Sequence, residues 1–409
     1  MSCLLRYGAA SQLDLELRPA QLAGCFEPVD VSPVESPAAA TRDALSRPIE
    51  HPPLARSIVP GDRVALAVDR YLSHAPEVLG AVIDELLEHG IDAADVTVVE
   101  PEAAAHSAIA ASATVPPSRR GAAAVRYEVH EPQNRTHLSY LTNSASGRPI
   151  YLNRTLLDAD VIVTVGMARS RNAWNSRGIV GGIYPTFSDT ASHSRYRNPH
   201  LVDRDDEIYA KSQREIETVG RLSGSQFTVQ VLPGRGDDVA GIVAGETAAV
   251  SQHVEDWWTA TWTGRIERRV ETVIASLTGA ASQTWEHFGR ALAASLAIVE
   301  SGGSIVICTD LETPLGPGMK LLSETDDRDA ALAHLRRERP RDLLETLELA
   351  QALRRARVYL LSRMESMDVE PLGLIPVDES GDVARFAARR NRTVVLNDAQ
   401  CMLVGTTQP

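Results

Sequence analysis

Residues 64–100 read VALAVDRYLSHAPEVLGAVIDELLEHGIDAADVTVVE, and this stretch decides the fold class. Its first five residues are an apolar run of strand length, introduced by the turn Pro60-Gly61-Asp62. Val78, Val82, Leu86 and Leu87 then recur at helical spacing through residues 77–88, Gly90 stops the helix, and residues 96–99 form a second apolar strand. Strand, helix, strand with apolar rather than alternating strands predicts parallel pairing in a sheet covered on both faces.

The rhythm extends outward in both directions. Upstream, residues 13–17 alternate as a strand should, and a loop rich in Pro, Ser and Ala follows over residues 29–40. Downstream come a strand at 161–165, a Gly-rich stretch at 176–182, a helix over 206–221 and a strand at 227–232. A short strand at 241–243 and a helix over 246–258 close the first half. A second unit begins with a strand at 270–276, a helix through 291–299, a turn at Gly302-Gly303 and a strand at 304–309. A charged helical stretch over 326–357 then leads to strands at 358–361, 372–376 and 393–396. The expected architecture is two α/β domains, residues 1–264 and 265–409, each with a mostly parallel sheet flanked by helices and with a ligand cleft between them.

Composition narrows the function. The 409 residues are 44% hydrophobic, enough for two ordinary cores, and the net charge of −13 argues against a nucleic-acid partner, which needs a basic surface to release counterions. The apolar runs are strand-sized, and the first 17 residues mix Arg6, Asp14 and Glu16 with apolar residues, so neither a membrane span nor a signal segment is expected and the protein reads as cytoplasmic. Cys3, Cys25, Cys308 and Cys401 stand far apart and read as buried free thiols. Lysine occurs only at Lys211 and Lys320; almost all positive charge is arginine.

Four segments carry residues suited to chemistry. Asp69-Arg70 and Glu100-Pro101-Glu102 each follow a strand directly, and carboxyl ends of parallel strands face the ligand crevice. Two carboxylates so close can share a site and raise one pKa toward use as a base. Residues 166–200 set Arg169, Arg171 and Arg177 among Gly178, Gly181 and Gly182, a combination of backbone amides and guanidinium groups that suits a carboxylate or phosphate. Gln283, His287 and Arg290 recur at helical spacing at the start of the second unit, so one helix face can reach the cleft.

The order of these segments resembles the nickel-dependent lactate racemase (LarA-like) family. Asp43-Ala-Leu-Ser-Arg-Pro-Ile-Glu is similar to that family's early "A-L-x-x-P-I-G", and Asp69-Arg70 falls where its "D-H-T-R-P" follows a strand. Residues 166–185 are similar to "G-F-x-x-S-H-x-F-x-G-x-S-G-G-R-K-S-V-L-P-G", Ala191-Ser-His-Ser to "A-N-H-S", and residues 282–309 to its "D-x-N-x-Y-Q-A-x-K" helix and following strand. The resemblance implies two α/β domains around a cleft. It also implies racemisation of a 2-hydroxy acid by hydride transfer through a nickel pincer cofactor that is tethered to a lysine, ligated by one histidine and served by two more.

Carried across residue by residue, His193 matches the nickel histidine, and Asp69 the aspartate beside the cofactor phosphate. Arg70, Ser176, Arg177, Gly178 and Gly182 fall in the cofactor-binding segments. The catalytic histidines fall at Glu102 and Arg171, the glutamine and lysine of the later helix at His287 and Arg290, and the tethering lysine at Val180 or Gly181. Glutamate can act as a base, whereas arginine keeps its proton at neutral pH. The expectation is therefore an isomerase-type protein that acts on or binds a small hydroxy acid or phosphate-bearing anion, with altered catalytic residues and no lysine to carry the pincer cofactor. Two other readings remain open: a catalytically silent paralogue that binds a small acid or nucleotide, and an unrelated α/β enzyme with Glu102 as its base.

Overall fold

The computed structural model describes residues 2–101, 125–173, 178–203, 206–225 and 227–408. In chain order, a hairpin of β1 (Ser2–Tyr7) and β2 (Ser11–Glu16) precedes β3 (Leu22–Phe26) and helix α1 (Pro37–Ser46). The first α/β run comprises β4 (Val64–Val68), α2 (Ala75–Glu88), β5 (Val96–Glu100) and β6 (Arg126–Val129). A hairpin, β7 (Leu138–Asn143) and β8 (Pro149–Asn153), leads to β9 (Val161–Met167), α3 (Asp206–Leu222), β10 (Phe227–Pro233), β11 (Val239–Glu246) and α4 (Thr247–Thr261). The rest runs β12 (Thr263–Ile266), β13 (Val270–Ser276), α5 (Trp285–Ile298), β14 (Val299–Cys308), α6 (Leu343–Arg355), β15 (Ala356–Leu361), β16 (Ile375–Pro376), α7 (Ser380–Ala388), β17 (Thr393–Leu396) and β18 (Leu403–Thr406), with short helices between.

Two six-stranded sheets result. The first has the order β11-β10-β9-β4-β5-β6, parallel except for the β10–β11 edge pair. The second has the order β16-β15-β14-β13-β17-β3 and is parallel throughout. β4, in the middle of the first sheet, is apolar and buried at all five positions, because both faces of the sheet are covered. In the first sheet α2 and its neighbours close one face around Leu66, Val68, Val98 and Val163, while Ala65, Ala67 and Val99 face a second cluster with Ile183 and Phe187. Among the described residues no helix is long and apolar enough to cross a membrane.

The structure departs from the sequence reading in several places, each with a local cause. The strand β3 and the β1–β2 hairpin belong with the second sheet: Gly24, Cys25 and Phe26 pair with β17, and Cys3, Leu5 and Leu15 pack on Ile274, Val306 and Val395. The second unit is therefore built from both ends of the chain. Cys3 and Cys25 are joined by a disulfide that ties β1 to β3, which corrects the reading of four free thiols; Cys308 and Cys401 are the free ones. Gly302-Gly303 is a bulge inside β14 rather than a turn, with the register jumping from Val270↔Val299 to Thr272↔Ser304. The charged stretch over 326–357 holds two helices, Arg328–Glu338 and α6, broken where Arg339 turns left-handed ahead of Pro340.

The carboxyl ends of the two sheets face each other. Past β4, the Tyr71 hydroxyl donates to Glu286 on α5 at 2.8 Å. Past β10, the Gly236 amide donates to Asp398, just beyond β17, at 2.9 Å, and Asp237 accepts from the Ala280 amide beyond β13 at 2.6 Å. Strand order changes direction between β4 and β9 in one sheet and between β13 and β17 in the other, the positions where α/β sheets open a crevice.

Candidate functional site

The centre of the cleft is built by three loops and one helix start. β4 delivers Asp69, Arg70 and Tyr71, and β9 delivers Arg169 two residues past its end. α5 begins at an N-cap, Thr284, whose hydroxyl accepts from the His287 amide at 3.3 Å and lies 2.8 Å from His287 Nδ1. The hydroxyl and Nδ1 are thus hydrogen-bonded to each other, whichever of the two carries the proton. Glu286 stands in the first turn of α5, where the helix dipole favours a carboxylate, and Arg290 follows one turn on.

Glu286 organises the cluster. Its carboxylate accepts from Arg290 Nη2 at 2.7 Å and from the Tyr71 hydroxyl at 2.8 Å, and lies 3.5 Å from Arg70 Nη2. Arg169 pairs with Asp69 at 3.1 Å. The guanidinium groups of Arg70 and Arg169 lie 5.0 and 5.4 Å from the centre of the Tyr71 ring, and His287 meets the same ring edge-on.

These contacts set the protonation states. Burial opposes ionisation of Glu286, but Arg290, Arg70 and Arg169 more than offset it, so its carboxyl stays well below the usual carboxylate range. Burial, reinforced by Arg290, pushes His287 down to about 3, and the imidazole is neutral at physiological pH. Glu345 on α6 goes the other way: burial and then the charge of Glu286 push it up to about 8, so it holds a proton at neutral pH. Burial also raises the Tyr71 hydroxyl.

Among the residues expected from sequence, the structure brings Asp69, Arg70, Arg169, His287 and Arg290 into this one cluster. Arg171 is paired with Glu255 at 3.4 Å and Glu217 at 3.7 Å, and Glu255 also accepts from Ser170 at 2.7 Å, so this part of the loop is pinned to α4. Gly178 adopts a left-handed conformation (φ 62°), and a Cβ there would come within 3.0 Å of Arg171 Cγ; a Cβ on Gly182 would meet nothing within 4 Å. His193 Nε2 lies 3.2 Å from the Thr186 carbonyl, and its ring is 6.3 Å from that of His130. Glu102, Ser176 and Arg177 lie outside the described residues. Sequence reasoning missed Tyr71, Glu286 and Glu345. For Glu286 a signal existed, since the pair with Arg290 at i, i+4 marks a helix face; Glu345 reads as one more charge in a charged helix.

The position where the resemblance places a lysine tether is packed with apolar and small groups. Val180 lies against α3 so closely that a Cβ on Gly220 would be 2.2 Å from its Cγ1, and Gly181 is buried. Neither side chain offers an amine. Among the described residues, no three His, Cys, Asp or Glu side chains are grouped to hold a metal ion. The described residues do not fit a covalently tethered pincer cofactor.

Two mostly parallel sheets flanked by helices, their strand ends facing each other across a charged cluster, define an α/β protein. Residues 7–178 match the model of the lactate racemase N-terminal domain family. No curated protein matches the sequence. The lactate racemase apoprotein from Thermoanaerobacterium thermosaccharolyticum shares the fold over 99% of this chain and 100% of its own, with a TM-score of 0.79 and 15% identity. A protein from Thermotoga maritima matches over 93% of this chain and 100% of its own, with a TM-score of 0.66 and 13% identity. The family match is thus confined to residues 7–178, and the structural match shows that the fold of the lactate racemase apoprotein extends over the remainder of the chain.

Proposed function

We propose that this protein binds a small 2-hydroxy acid in the cleft between its two units and handles it as a racemase or epimerase with an altered set of acid–base groups. The observation that carries this reading is the convergence of Arg70 and Arg169 from one unit and Arg290 from the other on a single carboxylate-bearing cluster. Guanidinium groups that hold Glu286 and Asp69 are equally suited to a ligand carboxylate, which would take Glu286's place as their partner. Glu286 is ionised while Glu345 keeps a proton, and two carboxyl groups pushed apart in this way can divide the roles of base and acid. His287, neutral at physiological pH, supplies an imidazole that can hydrogen-bond to a ligand without adding charge.

Calorimetry with L- and D-lactate tests binding, and loss of optical rotation tests turnover. Arg290→Ala is expected to weaken binding about 10-fold or more, since it removes a charge-assisted bond. No heat of binding with either enantiomer overturns the proposal. The packing of Val180 where the resemblance places a tethering lysine favours one second reading, a paralogue that binds the acid without turnover. Tight binding with unchanged optical rotation distinguishes it.

A further inference from the structure

Beyond the charged cluster, a cavity of about 510 Å³ continues between the two units. On the first unit its lining includes Tyr209 and Ile216 of α3; on the second, Ala293, Ala294 and Ala297 of α5 and Leu403 of β18. Arg290, Ala293, Ala294 and Ala297 are spaced i, i+3, i+4 and i+7, so they share one face of α5, and the three alanines leave room where larger residues would close the interface. Arg290 stands at the head of that face and belongs to both the cluster and the cavity.

Two buried polar atoms point to a ligand. Arg290 is 9% exposed; its Nη2 holds Glu286, but its Nε finds no hydrogen-bond partner among the described residues. Gln400, 6% exposed and also lining the cavity, has an Oε1 with no partner, while its Nε2 donates to the Thr278 carbonyl at 3.3 Å. Buried polar atoms left in this state cost free energy that a bound molecule recovers. The pair asks for an acceptor and a donor together, which the carboxylate and hydroxyl of a 2-hydroxy acid supply.

We infer that this cavity is a tail compartment of the cleft, taking the bulky apolar side chain, aromatic or branched alkyl, of a 2-hydroxy acid whose head group is held at Arg290. The inference rests on the head-group reading above and adds the identity of the side chain. A cavity of this size belongs to the class that encloses a whole medium-sized ligand, and the methyl group of lactate would leave most of it unfilled. The charged side chains in its lining are Arg290, Arg265 and Asp206, too few cations for a polyphosphate and consistent with an apolar tail.

The test is calorimetry on the full chain with lactate, 2-hydroxy-4-methylpentanoate and 3-phenyllactate. Affinity is expected to rise along that series, with 3-phenyllactate bound at least about 10-fold more tightly than lactate, because each added buried carbon contributes. Ala297→Phe, checked for folding by its thermal transition, is expected to bring the two affinities together. If that variant does not fold, the wild-type series decides alone. Lactate bound as tightly as 3-phenyllactate, or a preference untouched in folded Ala297→Phe, overturns this inference and leaves the head-group reading standing. Failure of all three acids to bind overturns both.

Discussion

At the scale of the residue, Glu286 is the group on which the cleft depends. Removing it leaves the buried Arg290 without its counter-charge, and breaking a buried pair costs about 3 kcal/mol, while the exposed Arg70 adds little. Glu286→Ala is therefore expected to lower the urea midpoint markedly, and millimolar lactate is expected to restore much of the loss by supplying a carboxylate to the same guanidinium groups. Equal destabilisation with and without the acid would detach Glu286 from the binding site. Glu345 gives the second expectation. Its folded pKa, about 8, lies above the ordinary value of 4.5, so the folded state binds the extra proton between those values. This contribution to stability is fully present below about pH 4.5 and is lost as pH rises through 8. Relative to Glu345→Gln, the wild type should lose on the order of a few kcal/mol across that window. Parallel stability–pH curves for the two proteins would show that Glu345 titrates normally.

At the scale of the element, the strands that read clearly in the sequence are those whose apolar runs are bounded by Gly, Pro or a charge, as β4, β5, β9 and β13 are. Their carboxyl ends located Asp69 and Arg70 without any tertiary information, and helical spacing located His287 and Arg290. The elements that escaped were defined by distant partners. β3 carries too weak an alternation to be found, and it exists because β17, some 370 residues later, offers a free edge. Glu345 is equally invisible, since its shift comes chiefly from burial and then from the charge of Glu286 on α5, with its neighbour Asp342 a smaller cause. Contact between the units also depends on a loop detail. Gly279 has φ 83°, and a Cβ there would stand 2.5 Å from Asp237 Oδ1 and 2.8 Å from the Gly236 carbonyl carbon. Gly279→Ala combines backbone strain with a clash across the cleft floor and should destabilise by more than about 1 kcal/mol in thermal unfolding. A neutral result would mean that the two loops separate freely.

At the scale of the whole molecule, the units are joined twice. The chain leaves the second sheet after β3, builds the first unit, and returns at β12. The outgoing and returning segments run side by side, the Val29 amide donating to the Thr261 carbonyl at 3.1 Å. The first and last strands, β1 and β18, and the Cys3–Cys25 disulfide pack with the second unit. In the language of grafted folds, the first unit is a guest seated in a surface loop of its host, and a host whose loop ends already touch has no need of the guest to close its own chain. A protein in which residues 30–260 are replaced by two or three glycines should thus fold cooperatively as the second sheet with its covering helices, with a single thermal transition and native-like circular dichroism. An aggregated or unfolded product would show that the guest completes the host's core. The same arrangement means that a protease cut within either crossing leaves the two units held by the other, so a nicked molecule should migrate as one particle until it is denatured.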